Sequence, residues 1–235
     1  MSVSAIIVAG GKGIRMGSVT RKQYMLLAGK PIVCHTLEAI DACPCVDEIF
    51  LVVPTDDLVA CSDKWISSLT LHKKIHLVAG GVERQDSVCR GIHAISDGFC
   101  EVVVIHDAVR PFVSFRMIED CVAEARVSGA CIVGMPMMET AKRVNSGWIE
   151  HTLDRNPIWI AQTPQAFGFE LIRTAHEKAR LDRFIGTDDA VLVERLGHKV
   201  RMITGSRLNM KITTPDDLAL AEGIILRTPT DCFSL

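Results

Sequence analysis

The residues SAIIVAGGKGIRMGSVTRKQY, at positions 4–24, decide the fold of this chain. They begin with an apolar run, residues 5–8, that is typical of a buried strand. A loop without bulky side chains follows at residues 9–13, and backbone N–H groups in such a loop can approach an anion closely. Two cations, Arg15 and Lys22, come next. A strand, a glycine-rich turn and cations in this order predict a binding site for a phosphate-rich ligand.

This loop matches neither of two better-known phosphate-binding patterns. The P-loop requires Gly, four residues, and then Gly-Lys followed by Ser or Thr, and no register of residues 4–24 supplies it. The dinucleotide fingerprint requires a third glycine at the position of Met16. The loop therefore favours a third type, which wraps a nucleoside triphosphate with its backbone. The glycines alone are equally compatible with an ordinary turn followed by two solvated cations.

Composition limits the class of protein. A chain of 235 residues fits one large domain or two small ones, and 48% hydrophobic residues suffice for a full core. The formal net charge of −2 argues against nonspecific nucleic-acid binding. No apolar run approaches the roughly 18 residues of a membrane span. The N-terminus shows no signal-peptide pattern, so we expect a cytoplasmic protein that acts without membrane contact.

Nine cysteines are scattered along the chain, and the closest pair is Cys43 and Cys45. Their odd number and their spacing favour reduced thiols that pack as small hydrophobic groups. A zinc site at the pair is disfavoured because the spacing does not match known zinc motifs.

Strand and helix patterns alternate along the chain, which predicts an α/β fold with a parallel sheet and helices on its faces. Residues 102–105 form the most hydrophobic of the later strands and are expected at the centre of the sheet. The other later strands are expected at residues 48–53, 75–79, 130–134, 159–162 and 199–203. Helices are expected at residues 31–42, 56–69, 84–95, 115–128, 170–179 and 187–196 and from Thr214 onward, with N-caps at Asp56, Ser114, Thr187 and Thr214.

Residues 137–155 interrupt the alternation. Alternating residues flank Asn145-Ser146-Gly147, which is a hairpin signal, and the segment is too poor in apolar residues to form its own core. We therefore expect a projecting arm that packs on a second copy of the chain. The predicted organisation is one domain, residues 1–235, with the arm inserted.

The loops after the strands collect small residues, cations, hydroxyl groups and a carboxylate. In open parallel sheets ligands bind at these ends of the strands, and the inventory suits nucleotidyl transfer, which depends on positioning and charge neutralisation. Asp107, at the end of an apolar strand, is the natural Mg²⁺ ligand, although it could also cap the following turn. His106 is expected to be a structural hydrogen-bonding group. Trp159 and Phe167 are expected in the core.

The chain resembles the 2-C-methyl-D-erythritol 4-phosphate cytidylyltransferase family of the non-mevalonate isoprenoid pathway. The similarity extends over nearly the whole chain, and its TPQAF and NMKIT segments are the most specific. The segments that carry it are AGGKGIRMG…KQY (9–24), GGVERQDSV (80–88), HDAVRP (106–111), TAKR (140–143), DRNPIWIAQTPQAF (154–167), TDDAVLVE (187–194) and NMKITTPDDLALAE (209–222).

This resemblance implies a Rossmann-like, mostly parallel twisted sheet, a homodimer joined through the arm at 137–155, and dependence on Mg²⁺ bound by Asp107. It implies catalytic roles for Arg15, Lys22 and Lys211, the first two at the triphosphate and both lysines at the α-phosphorus. The residues that would hold the cytosine and ribose of CTP are Ala9, Gly10, Gly11, Gly13, Gly81 and Ser87. The residues that would hold the sugar phosphate are Arg110, Thr140, Arg155, Thr163 and Thr187, with Thr140 and Arg155 reaching in from the partner's arm.

Two alternatives remain open on the residues themselves. A sister enzyme acting on ribitol 5-phosphate or another polyol phosphate would share the CTP-binding half. A non-catalytic nucleotide-binding protein on the same fold would be expected to lack one of the residues Arg15, Lys22, Asp107 or Lys211, and all four are present.

Overall fold

The apolar run near the N-terminus forms a buried strand, as predicted, in the computed structural model, which describes residues 2–10, 21–96, 98 and 100–227. Within these residues the strands are β1 (Ser2–Val8), β2 (Leu26–Leu27), β3 (Lys30–Pro31), β4 (Glu48–Val53), β5 (Lys74–Ala79), β6 (Cys100–Asp107), β7 (Ala130–Pro136), β8 (Lys142–Asn145), β9 (Trp148–Thr152), β10 (Trp159–Gly168) and β11 (Arg201–Thr204). The α-helices there are α1 (Ile32–Asp41), α2 (Leu58–Ala60), α3 (Arg84–Ala94), α4 (Phe115–Ser128), α5 (Phe169–Leu181), α6 (Ala190–Glu194) and α7 (Pro215–Arg227).

Seven of these strands form one sheet in the order β11-β7-β10-β6-β1-β4-β5. Strand β6 lies in the middle of this order, which confirms the prediction from its hydrophobicity. All neighbours pair in parallel except β10, which runs antiparallel to both β6 and β7. The chain first extends the sheet from β1 to β4 and β5 and then returns to place β6 on the other side of β1. The carboxyl ends of β1 and β6 thus form the switch point where such folds bind ligands.

Both faces of the sheet are covered by apolar packing. Alternate residues of β1 point to opposite faces, because side chains alternate along a strand. Ile7 joins a core built with α1 and α4, whereas Ile6 packs with α3 and α5 on the other face. A smaller cluster around Ile212 joins α7 to the segment before α1. This arrangement matches the predicted α/β class.

Helix ends follow the sequence signals in two places. The Ser114 hydroxyl accepts a hydrogen bond from the Met117 amide at 3.3 Å, and α4 ends at Gly129, which has φ of +84°. At α7 the Thr214 hydroxyl accepts from the Asp217 amide at 3.2 Å, and the Asp217 carboxylate accepts from the Thr214 amide at 2.9 Å. Both caps confirm the predicted starts.

Several predicted boundaries are wrong. The helix expected at residues 56–69 is instead broken into 3-10 turns (Thr55–Asp57 and Ile66–Ser68), the single turn α2 and a π turn (Cys61–Trp65), and no side chain caps its start. The Trp65 ring stacks on Tyr24 with ring centroids 3.9 Å apart, so tertiary packing sets the local geometry.

Strand β10 is longer than its predicted counterpart, and helix α6 is shorter. The strand continues through Pro164 to Gly168 with an irregular register between Ala161 and Gln165. Trp159, at its start, is 38% exposed, so the expectation that it belongs to the core is wrong, whereas Phe167 is fully buried as predicted.

The segment at 137–155 contains the predicted hairpin. Strands β8 and β9 pair in antiparallel fashion around Ser146 and Gly147, which have φ of +48° and +86°. Positive φ at both central residues is the geometry of a two-residue hairpin turn. Every residue of the two strands is exposed.

Helices long and apolar enough to cross a membrane do not occur among the described residues. The eight cysteines in the described ranges are free thiols, and the sulfur atoms of Cys43 and Cys45 lie 3.5 Å apart.

Candidate active site

A cavity of about 210 Å³ opens at the switch point of the sheet. Its lining combines the backbone at the end of β1, the carboxylate at the end of β6 and three cations from separate segments. The lining residues are Val8, Ala9, Gly10, Lys22, Gln23, Arg84, Asp107, Val109 and Lys211. Five residues predicted for the site, namely Ala9, Gly10, Lys22, Asp107 and Lys211, therefore lie around one cavity.

Asp107 is the centre of charge in this cavity. Its Oδ1 atom lies 3.2 Å from the Arg84 Nε, and its Oδ2 atom lies 2.8 Å from the Lys211 Nζ and 3.5 Å from the Arg110 Nε. Burial alone would raise the pKa of Asp107, but the charges of Arg84, Lys211 and Arg110 outweigh burial and hold this pKa far below its usual range. The carboxylate is therefore ionised at any physiological pH.

The turn that carries Asp107 is fixed by hydrogen bonds. The Asp107 amide donates to the Thr163 hydroxyl at 3.0 Å, and the Ala108 amide donates to the Val8 carbonyl at 3.1 Å. The Thr36 hydroxyl, on α1, donates to the Ala108 carbonyl at 2.8 Å. These bonds orient the carboxylate towards the cavity without using its own oxygens.

His106 supports the same turn. Its ring is fully buried, and burial lowers its pKa to about 4, so the imidazole is neutral. The Nε2 atom lies 3.0 Å from the Arg110 carbonyl, which can only accept, so Nε2 carries the proton. The Nδ1 atom then accepts from the Thr163 hydroxyl at 3.1 Å. This arrangement confirms His106 as a structural hydrogen-bonding group and places the Thr163 hydroxyl beneath the Asp107 turn.

The segment that carries Lys211 is anchored by the buried residue Asn209. Lys211 belongs to an irregular segment after β11, and its neighbour Asn209 is fully buried. The Asn209 side-chain Nδ2 donates to the Thr163 carbonyl at 2.8 Å, and the backbone carbonyl of Asn209 accepts from the Arg110 Nη1 at 2.8 Å. Asn209 thus joins the Lys211 segment to β10 and to Arg110.

Gly81 and Ser87 lie next to the cavity, at the start of α3. The Ser87 hydroxyl is buried, accepts from the Gly81 amide at 3.0 Å and donates to the Glu83 carbonyl at 3.1 Å. A Cβ atom on Gly10 would come within 2.8 Å of this hydroxyl, so glycine is required where the β1 loop crosses α3. Gly81 also lines a second, wider cleft of about 410 Å³ with Arg21, Thr55 and Arg90.

Three of the predicted residues, Gly11, Gly13 and Arg15, lie outside the described residues. The part of the loop that is described ends at Gly10 and resumes at Arg21. The buried Gln23 side chain donates to the Ala9 carbonyl at 2.6 Å and so connects the two sides of this loop.

Three predicted sugar-phosphate residues do not reach the cavity of their own chain. Thr140 and Arg155 are exposed on the arm, where the Arg155 guanidinium donates to the Met138 carbonyl. Thr187 is exposed and does not cap a helix, because α6 begins three residues later, at Ala190. Arg110, in contrast, is largely buried beside Asp107, and burial lowers its pKa.

Arg84 is the site residue that the sequence reasoning missed. It begins α3, next to a reciprocal cap between Glu83 and Asp86. Besides Asp107 it contacts Asp189, whose Oδ2 lies 2.7 Å from the Arg84 Nη1. Its place in the segment 80–88 was a usable signal, because a cation beside two glycines at the end of a strand suits an anionic ligand.

The whole chain is similar to known proteins of one family. The family model described as 2-C-methyl-D-erythritol 4-phosphate cytidylyltransferase matches residues 3–227. Proteins of that name from Syntrophus aciditrophicus and Geobacter metallireducens are 50% and 46% identical to this chain; the alignments cover 95% and 96% of this chain and 95% and 98% of the relatives. The solved structure of 4-diphosphocytidyl-2C-methyl-D-erythritol synthase from Anaerococcus prevotii superposes with a TM-score of 0.83 at 31% identity, covering 96% of each chain.

Proposed function

The chain belongs to the 2-C-methyl-D-erythritol 4-phosphate cytidylyltransferase family, and we propose that the cavity around Asp107 is where it performs the family's reaction. The enzyme transfers the cytidylyl group of CTP to 2-C-methyl-D-erythritol 4-phosphate. An oxygen of the sugar phosphate attacks the α-phosphorus of CTP, the bond to the bridging oxygen breaks, and pyrophosphate leaves. Of the alternatives left by the sequence, the family match favours this one over a ribitol 5-phosphate enzyme and over a non-catalytic protein.

The observation that carries this proposal is the pairing of Lys211 with Asp107 in a cavity that Lys22 also lines. A phosphate dianion has to approach an α-phosphate that is itself negative, so the like charges must be neutralised first. Lys22 and Lys211 supply that neutralisation at the α-phosphorus, and Arg15 is assigned with Lys22 to the triphosphate. Preorganised charges of this type act mainly on the transition state, because they need no reorganisation when the reaction occurs.

The nucleoside of CTP is assigned to the surface formed by Ala9, Gly10 and Gly81. The small residues there leave room for a flat base and a ribose, and Ser87 keeps Gly81 in place through its hydrogen bond. Gly11 and Gly13 are assigned to the same subsite. Thr163 and Arg110, which both contact Asp107, are assigned with Thr187 to the sugar phosphate.

The donor set fits Mg²⁺, provided that the metal ion is shared with the substrate. Asp107 offers one ionised carboxylate at the wall of the cavity. Among the described residues no three His, Cys, Asp or Glu side chains come together to hold a metal ion, so phosphate oxygens of CTP would complete the coordination. Magnesium is commonly bound in this way, through one or two carboxylates plus substrate phosphates. Bound there, it would neutralise charge on the triphosphate and on the leaving pyrophosphate.

The arm is assigned to a homodimer. It exposes apolar side chains that a free surface rarely carries together, including Trp148 at 81% and Ile149 at 64% exposure. Thr140 and Arg155 lie on this arm, away from the cavity of their own chain, and we assign them to the sugar phosphate bound by the partner. Deleting residues 140–152 should yield monomers in sedimentation, and a variant that still sediments as a dimer would contradict the assignment.

The reaction is tested by measuring pyrophosphate release with CTP and Mg²⁺. Methylerythritol phosphate and ribitol 5-phosphate are offered in parallel, with ATP, GTP and UTP as nucleotide controls. Release with CTP and methylerythritol phosphate alone is the expected result. Release with ribitol 5-phosphate alone would contradict the substrate, and no release from folded protein that binds CTP would contradict the activity.

A further inference from the structure

Arg84 is tied to two buried carboxylates on different parts of the chain. Its Nε atom lies 3.2 Å from the Asp107 Oδ1, and its Nη1 atom lies 2.7 Å from the Asp189 Oδ2. Asp189 precedes α6 and is 1% exposed. The guanidinium fork therefore connects the cavity to the buried layer where α3, α5 and α6 pack together on the sheet, a geometry that lysine cannot reproduce.

Asp189 in turn is held by His176. The His176 Nε2 atom, on α5, lies 3.1 Å from the Asp189 Oδ1, and the ring is 2% exposed. The Asp189 amide also donates to the Gln165 side-chain oxygen at 3.2 Å. Burial would lower the pKa of His176, but its hydrogen bond to Asp189 and the neighbouring Cys89 raise it to about 9. Burial would raise the pKa of Asp189, but Arg84 and His176 lower it.

The three cations on Asp107 are not equivalent. In the proposed function Lys211 turns to the α-phosphorus and Arg110 to the sugar phosphate, so both must loosen their contacts with Asp107 when substrates bind. Arg84 has a second anchor in Asp189, and a guanidinium held at both ends keeps its position. One fixed cation then remains beside the carboxylate through the reaction.

We propose that His176 and Asp189 are positioning residues that hold Arg84 across Asp107, and that they thereby fix the carboxylate in the orientation that the reaction requires. This inference rests on the proposed function of the Asp107 cavity. A merely structural role is the competing account, in which the chain Arg84–Asp189–His176 only ties α3 to α5 and to the start of α6. The two accounts differ in what happens to turnover by protein that remains folded.

The test uses His176→Gln in the full-length protein, with His72→Gln as the matched control because His72 is exposed and contacts Asp41 of α1 instead. Partners that orient metal ligands typically contribute about 10–100-fold to metal affinity or activity. His176→Gln should therefore lower kcat or raise the half-saturating Mg²⁺ concentration by about that factor, while the KM for CTP changes little. His72→Gln should match the wild type. Turnover and Mg²⁺ dependence equal to wild type in folded His176→Gln protein would overturn the proposal.

Arg84→Lys keeps the charge but cannot span Asp107 and Asp189, so it should show the same loss, and it keeps the proposal testable if His176→Gln does not fold. A crystal structure of metal-free His176→Gln gives a readout that is independent of turnover. It should show the Arg84 guanidinium displaced from Asp107, and an unmoved guanidinium would contradict the proposal. Because wild-type turnover is measured in the same assay, failure of the proposed function would be recognised separately.

Metal-free thermal unfolding across pH supplies a second readout. The charged and titratable groups around His176 are Asp189 before α6, Asp86 and Cys89 on α3, and Arg180 and Arg183 at the end of α5. A histidine whose pKa is raised on folding contributes stability that is fully present below about pH 6.5 and is lost as the pH rises through about 9. His176→Gln should lack this alkaline decrease in Tm. An unchanged profile would show that His176 does not carry the charge that holds Asp189.

Discussion

The Asp107 cavity and the arm at 137–155 are opposite kinds of surface. Asp107, which is 6% exposed, is paired with Arg84 and Lys211 from distant segments of the same chain. On the arm every residue of β8 and β9 is exposed, and its salt bridge between Arg143 and Glu150 is local. The charged groups around Asp107 are thus held within one chain, whereas the two strands of the arm are exposed along their whole length.

The two surfaces are assigned different tasks in the reaction, namely charge neutralisation at the α-phosphorus and binding of the sugar phosphate. Charge neutralisation at the α-phosphorus is assigned to cations of the cavity, and Lys211 is held beside Asp107 by its own chain. The sugar phosphate is assigned partly to Thr140 and Arg155, which are not among the described residues that line the Asp107 cavity of their own chain. We therefore expect changes in the cavity to act on kcat and on the metal, and changes in the arm to act on the KM of the sugar phosphate and on the dimer.

The largest effect is expected from Lys211→Gln. Removing a preorganised charge at the reacting centre should lower kcat by about 10²–10³-fold. The KM for CTP and the circular dichroism spectrum should change little. Lys199→Gln is the matched control because Lys199 is exposed, and it should keep full activity. Near-normal turnover by Lys211→Gln would remove this lysine from the mechanism.

Asp107→Asn is expected to act on the metal. The amide is a weaker Mg²⁺ ligand and leaves the charges of Arg84, Lys211 and Arg110 unbalanced, so the half-saturating Mg²⁺ concentration should rise at least about 10-fold. Calorimetric titration of CTP with and without Mg²⁺ measures this directly. The exposed Asp120→Asn is the control. If the Mg²⁺ dependence were unchanged, Asp107 would not be the ligand.

Arg155→Gln tests whether the arm contributes to binding of the sugar phosphate. A hydrogen bond to a charged group contributes about 1.5–3 kcal/mol, so the KM for methylerythritol phosphate should rise by about 10–100-fold while the KM for CTP stays constant. Arg143 lies on the same arm and pairs with Glu150. Arg143→Gln is therefore the matched control and should leave both KM values unchanged. A rise in the KM for CTP instead would place Arg155 on the nucleotide side.

The smallest effect is expected from Gly147→Ala. Its φ of +86° is unfavourable for alanine by about 1 kcal/mol, a cost that the exposed hairpin alone bears. The dimer dissociation constant, measured by sedimentation equilibrium, should rise modestly while kcat at saturating substrate is retained. A loss of kcat as large as that of Lys211→Gln would contradict the claim that changes in the arm act on the dimer and not on kcat.

Much of this fold is readable from local sequence. The strand at residues 48–53 has its predicted bounds because it is an apolar run that ends at Pro54. The cap at Ser114 and the hairpin at Ser146-Gly147 also follow from single residues with strong local preferences. The strand predicted at residues 159–162, in contrast, continues through Pro164 to Gly168 with an irregular register.

The parts that could not be read depend on distant contacts. Arg84 and Asp189 are 105 residues apart in the sequence, and no local pattern predicts that they form a pair. The region after Pro54 has helical composition, but the stacking of Trp65 on Tyr24 accompanies a succession of short turns. Thr187 resembles an N-cap, yet the first turn of α6 is capped by Asp188, whose Oδ1 accepts from the Val191 amide at 3.1 Å.

A mixed-dimer assay tests the central claim most directly, namely that the cavity of one chain is completed by the arm of its partner. Lys211→Gln supplies an inactive cavity with an intact arm, and Arg155→Gln supplies an intact cavity with an impaired arm. After subunit exchange, the mixed dimers are isolated by two tags and assayed at a methylerythritol phosphate concentration below the wild-type KM, where Arg155→Gln is impaired. We expect one intact site in each mixed dimer and about half the wild-type rate per dimer. Mixed dimers no more active than the mean of the two variants assayed separately would show that each arm serves its own chain or neither, and would contradict the account.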